Sequence, residues 1–209
     1  MSDILGFGSI AIVSVITFIL ALKKPNISMI LCAALLIRIF FMLIGHSFIS
    51  LPDSTADAKS FELQAWIWSQ NGFINHINNF YGPSPKFISW LVGIPYSLFG
   101  RSILMAQSMS LLAGIGSVFL GWKLANLIWG NRIANKVGWT IALFPSLVLY
   151  SVLVMREMYM VFFLIVALYG VVSYTKSYRI IPFSTAIIGF IGATFFHGAM
   201  LVGAIVFVF

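Results

Sequence analysis

Residues 51–100 read LPDSTADAKSFELQAWIWSQNGFINHINNFYGPSPKFISWLVGIPYSLFG, and they gather most of the polar chemistry of this chain. Asp53, Asp57, Lys59, Glu62, His76 and Lys86 all fall inside this window, between one long apolar segment and a series of others. The chain as a whole is 61% hydrophobic and 8% charged, far outside the range of a soluble domain. Roughly 20 apolar residues cross the hydrocarbon core as a helix, and several runs here reach that length. Backbone groups in lipid must find their partners within the chain, which leaves helices rather than open strands. The expectation is an all-α polytopic membrane bundle of about six or seven spans in one transmembrane domain. Residues 51–100 then form an outer loop holding interfacial helices.

Residues 4–22 form the first apolar run, with Asp3 before it and Lys23 and Lys24 behind. A cleaved signal peptide carries its positive charge in front, so this run reads as a retained span. Residues 27–50 return, with Arg38 near the middle. Residues 88–100 are too short to span and contain Pro95, expected to break them into a re-entrant or interfacial piece. Residues 103–127 form the third span, with Ala106, Ser110 and Gly114, then Ala113, Ser117 and Gly121, at four-residue spacing. Such stripes let helix backbones approach closely in membranes. The fourth span, 137–155, holds Pro145 as an expected kink. A fifth covers 158–174 and a sixth starts at Ile180. The closing text HGAMLVGAIVFVF is expected to belong to a long sixth or truncated seventh helix, making the chain the N-terminal part of a longer protein.

Charge gives the orientation. With Lys23 and Lys24 inside, alternation also puts Lys123, Arg132, Lys136, Lys176 and Arg179 inside, and all five acids outside. That distribution obeys the positive-inside rule and sets the N-terminus outside. The net charge of +7 comes from single loop anchors, not from a nucleic-acid-binding patch. Cys32 stands alone, which excludes an intrachain disulfide. No metal or nucleotide motif occurs, and no cofactor is expected.

Asp57 has two readings. Ser54-Thr55-Ala56-Asp57 matches a capping box, with a carboxylate in the first helical turn. The same geometry fixes a carboxylate at the membrane surface. Arg156 and Glu157 are either a surface pair at an interhelical turn or a site where Arg156 binds an anionic head group and Glu157 orients it. Lys86 and Arg101 bracket the short apolar segment and either act similarly or anchor it. Arg38 needs a structural partner or a polar cavity, because a charge at that depth is costly. His46 and His197 read as packing or interface residues.

Four stretches together carry a resemblance. LLIRIFFML, PDSTADAKSFELQAWIWSQNG and SPKFISWLVGIPYSLFGRS precede LANLIWGNRIANKVGWTIALFPSLVLYSVLVMRE in the order and spacing of a known group. Residues 31–170 resemble the family C (GT-C) membrane glycosyltransferases, the group with protein O-mannosyltransferases and the lipid A aminoarabinose transferase. The departures are an additional first helix, Pro83-Ser84-Pro85 in place of a double proline, and fewer spans. The resemblance implies transfer of a sugar from a polyprenyl-phosphate donor to a lipid, glycan or protein acceptor at the outer face, in a bacterial inner membrane. It implies Asp57 as general base, with Asp53 as second choice. Arg156, Arg101 and Lys86 would hold the lipid phosphate, supported by Glu157, Arg38 and His197. A polymerase or ligase using a lipid-linked donor would share that site and lean more on His197 and the outer arginines. A transporter or non-catalytic subunit would string polar residues along several spans, whereas these spans hold little charge beyond Arg38 and Lys123.

The orientation is open to direct test by thiol labelling. In a Cys32→Ser background, Lys59→Cys should react with an impermeant reagent from outside, and Arg132→Cys only after permeabilisation. Labelling of both from outside, or of position 132 alone, would overturn the topology.

Overall fold

The computed structural model describes residues 2–80 and 82–208, and every regular element among them is an α-helix. They are α1 (Ser2–Lys23), α2 (Pro25–Ser47), α3 (Asp57–Ser69), α4 (Phe73–Asn78), α5 (Phe87–Phe99) and α6 (Ile103–Trp129). Then follow α7 (Asn131–Leu143), α8 (Pro145–Val152), α9 (Arg156–Ser177), α10 (Ile180–Phe196) and α11 (Met200–Val208). The all-α bundle is as expected, but the number of spans is smaller. Among the described residues four helices, α1, α2, α6 and α9, are long and apolar enough to cross a membrane. The pair α7 and α8, bent by 55°, makes a fifth. The expected sixth ends after 17 residues, because α10 stops at Phe196 and the chain turns through His197–Ala199 into the short α11.

The centre of the bundle is α6. Its stripe of small residues is buried as expected, and each part of it meets a different neighbour. Ser110 donates to the Tyr159 hydroxyl of α9 at 3.3 Å. At Gly114 an added methyl would sit 2.5 Å from Ser151 Cβ of α8, so only glycine lets that helix this close. Gly121 lies under Ile141 of α7. α9 and α10 touch backbone to backbone, Gly170 against Ala186 and Gly189 against Ala167. Contact this close supplies the dispersion that replaces a hydrophobic drive within lipid.

Arg38 of α2 explains the broken span. It is fully buried, and its guanidinium bonds to protein oxygens rather than to a carboxylate. Pro145 has no N–H, so the carbonyl of Ile141, four residues earlier, loses its helical partner. The Ala142 carbonyl, in the last turn of α7 just before the bend, likewise has no helical partner. Arg38 Nη2 donates to Ile141 O at 3.4 Å, and Nη1 donates to Ala142 O at 2.9 Å and Ala34 O at 3.2 Å. Its Nε donates to Ser151 Oγ at 2.9 Å, tying in α8. The arginine is thus the cap of α7. The structural partner expected from the sequence is a set of backbone carbonyls, far from any role at the loop.

The polar loop sits at one end of this bundle. Asp3, His46, Arg101 and Ser102 line one cavity, joining the start of α1, the end of α2 and the start of α6. Ser84 N–H donates to Phe195 O, pinning the loop to the end of α10. Phe80, Phe87 and Trp90 cluster with Phe195, and Phe87 also packs on Phe196. At the opposite end Lys176 donates to Leu127 O, capping the last turn of α6. The five acids therefore gather at the loop end and the bases of the short connections at the other, as the charge count anticipated.

Two local expectations are corrected. The sequence predicts a surface helix over 54–70 whose apolar face carries Phe61, Ala65 and Trp68; α3 instead begins at Asp57 and buries Ala58, Glu62, Ala65 and Ser69. The small residues set that face, because α5 lies against it: Ser89 Oγ donates to Phe61 O at 2.9 Å. Pro95 also fails to break α5, which runs on to Phe99. The proline removes one helical rung, and packing of Ile88, Ser89, Val92, Gly93 and Tyr96 holds the rest.

If Arg38 caps α7, Arg38→Met should lower the unfolding free energy in detergent by about 1–3 kcal/mol for each carbonyl it orphans. Pro145→Ala should recover part of that loss in the double variant, since a new N–H can reach Ile141. An Arg38→Met protein as stable as the parent would refute the capping role.

Candidate functional site

The loop presents its first carboxylates through a tight turn. Ser54 N–H and Oγ–H both donate to Leu51 O, at 3.1 and 2.6 Å. Pro52 supplies the fixed φ, and Asp53 takes a left-handed φ of 61°, the pattern of a type II turn. Asp tolerates that conformation better than most residues. Because the Ser54 hydroxyl is spent on Leu51, the capping box of the sequence does not form. Ala56 is the N-cap, without a side-chain bond, and Asp57 is an exposed first-turn carboxylate. The positive end of the helix dipole still favours its charge.

Asp53, Ala56 and Asp57 share a pocket of about 280 Å³ with Tyr150, Met155 and Glu157. Asp57 and Glu157 stand about half the chain apart in sequence, and the path of the chain from the bend at Pro145 into α9 brings them to one pocket. Glu157 Oε1 accepts from Arg156 Nε at 3.1 Å. Its Oε2 is buried and accepts from no group among the described residues. Among the described residues no three acids, histidines or cysteines converge closely enough to hold a metal ion. The pocket is walled by carboxylates, and Arg156 is joined to it through its bond to Glu157.

On the other side of the first turn of α3 lies a larger pocket, of about 490 Å³. It is lined by the end of α2 and its following residues, by Ser54, Ala58, Lys59 and Glu62, and by Arg101, Gln107 and Val154. Glu62 is only 4% exposed, and both its oxygens are bonded. Oε1 accepts from Tyr96 Oη at 2.8 Å and Arg101 Nε at 2.9 Å; Oε2 accepts from Arg101 Nη2 at 2.7 Å. This two-pronged geometry is the strong form of an ion pair. The hydrogen bond to Glu62 raises the Arg101 pKa above its ordinary value. Burial first, and then the Glu62 charge, pushes the Tyr96 phenol upward, so it remains a donor.

The chain matches no family model, no curated protein and no solved structure.

The structure thus brings Asp53, Asp57 and Glu157 to one pocket, with Arg156 bonded to Glu157, and sets the other candidates apart. Arg101 spends its fork on Glu62 and lines the larger pocket. Lys86 lines a separate hollow with Trp68, Ser84 and Pro85. Arg38 is the cap of α7. His197 is exposed at the end of α10. His76, by contrast, is structural: its Nε2 lies 2.8 Å from Trp90 O, Trp90 Nε1 donates to His76 O at 3.1 Å, and the rings stack.

Glu62 and Gln107 are the residues that sequence reasoning missed. For Glu62 a signal existed. Ala58, Ala65 and Ser69 make a small-residue stripe at helical spacing, and Glu62 falls on it, so it had to be buried and paired. Nothing in the text around Gln107 distinguishes it from its neighbours on α6.

Proposed function

We propose that the protein is a membrane glycosyltransferase that moves a sugar from a polyprenyl-phosphate donor to an acceptor at the outer face of the membrane. The observation that carries this reading is the meeting of Asp53, Asp57 and Glu157 at one pocket, with Arg156 bonded to Glu157. The reaction needs a carboxylate to take a proton and a cation beside the departing phosphate; carboxylates line the pocket, and the cation is the partner of one of them.

In this reading the acceptor hydroxyl gives its proton to Asp57, and its oxygen bonds the anomeric carbon. The bond from that carbon to the phosphate oxygen breaks, and the polyprenyl phosphate leaves with the electron pair. Arg156 meets the charge growing on the phosphate, because a guanidinium fork matches its oxygens. Glu157 holds Arg156 in place through the 3.1 Å bond. Asp53 is the second carboxylate within reach of the same space. Arg101 is less suited to the phosphate of this step, since Glu62 already occupies two prongs of its fork. The gathering of acids at the loop end and bases at the other supports placing the pocket outside.

Asp57→Asn separates a base from a mere helix-end charge. Loss of a first-turn charge costs roughly 0.3–1 kcal/mol of stability and leaves function alone. Loss of a positioned base lowers turnover about 100-fold or more. We expect the second outcome in transfer of labelled sugar from a polyprenyl-phosphate donor, at normal protein level. Arg156→Lys should raise the donor concentration required. Near-normal transfer by Asp57→Asn would move the base to Asp53, and loss by neither would remove the proposal.

A further inference from the structure

The larger pocket has its own unmet chemistry. Gln107 is 8% exposed, lines the pocket, and its Oε1 accepts from no group among the described residues. A buried amide oxygen left without a donor is costly, so the site favours a ligand that donates to it. Charge is the second observation. Both Glu62 oxygens are already bonded, so its charge is balanced by Arg101, and Lys59 is left as a cation in excess. Arg101 itself is 39% exposed and gives Glu62 only two of its N–H groups. The volume of about 490 Å³ is that of a ligand site rather than of a packing fault.

We propose that this pocket binds a phosphate ester carrying a free hydroxyl. The hydroxyl donates to Gln107, and Lys59 with the unengaged side of Arg101 takes the phosphate. Glu62 is the positioning residue: its two-pronged bond fixes the guanidinium plane, and the Tyr96 hydroxyl fixes Glu62 in turn. The assignment stands on these residues and does not depend on the transfer reaction at the neighbouring pocket. The ester is either the head group of a lipid or a soluble molecule, and the chemistry of recognition is the same for both.

The test uses the whole chain in phosphatidylcholine nanodiscs doped with phosphatidylglycerol or phosphatidylmethanol. Both dopants are phosphate diesters of equal charge, and only the first carries free hydroxyls. Lipid retained on the protein is read by native mass spectrometry. Phosphatidylglycerol should be retained about tenfold better, the worth of one buried hydrogen bond. Gln107→Leu should erase that preference while leaving retention of phosphatidylmethanol unchanged; Gln107→Met is the second variant if leucine does not fold. Lys59→Gln should weaken both lipids alike. Displacement of phosphatidylglycerol by soluble glycerol phosphate would assign the pocket to a free ester, and failure to displace it would assign a lipid head group. Equal retention of the two lipids by the parent, or a preference that survives both Gln107 variants, would overturn the proposal.

Discussion

A single buried guanidinium sets the frame. Pro145 deprives Ile141 of its helical donor, and a span broken in lipid must find a replacement from elsewhere in the protein. Arg38 supplies it, bonding Ile141 and Ala142 from a neighbouring helix while holding Ser151 across the bend. Neither partner makes sense alone. A charge in the middle of α2 would be too costly without those carbonyls, and the carbonyls would be orphans without the charge. Gly114 leaves the room in which they meet.

The consequence reaches the loop end. With α8 fixed at its angle, Leu153–Met155 make a buried turn in which Met155 N–H donates to Leu153 O, and α9 starts at Arg156 beside the loop acids. The loop is fastened from its own side by the Glu62–Arg101–Tyr96 network, by the mutual bonds of His76 and Trp90, and by the aromatic cluster on α10. Two pockets of opposite character follow, on either side of the first turn of α3. One is walled by carboxylates, and the other holds an excess cation and an unpaired amide.

Much of the architecture was legible because it rests on composition and period. The apolar runs, the small-residue stripes of α6 and the segregation of charge are properties of the text itself. What failed were local contests settled by packing. Ser54 preferred the Leu51 carbonyl to a capping box, and α3 turned its small-residue face inward and carried Glu62 with it. Pro95 was outweighed by the contact of α5 with α3. The pairing of Asp57 with Glu157 could not be read at all, since it depends on the bend at Pro145 rather than on any spacing. Arg38 was visible as an anomaly, but its partners, being backbone carbonyls, leave no mark in a sequence.

If the Arg38 cap brings the loop acids and the start of α9 to one pocket, an ethylene-linked bismaleimide should bridge Asp57→Cys to Glu157→Cys in a Cys32→Ser background. The joined peptide pair, read by mass spectrometry, should form readily in folded protein and much more slowly once Arg38→Met is added. No bridge between the two positions, or bridging at the same rate without Arg38, would contradict the account.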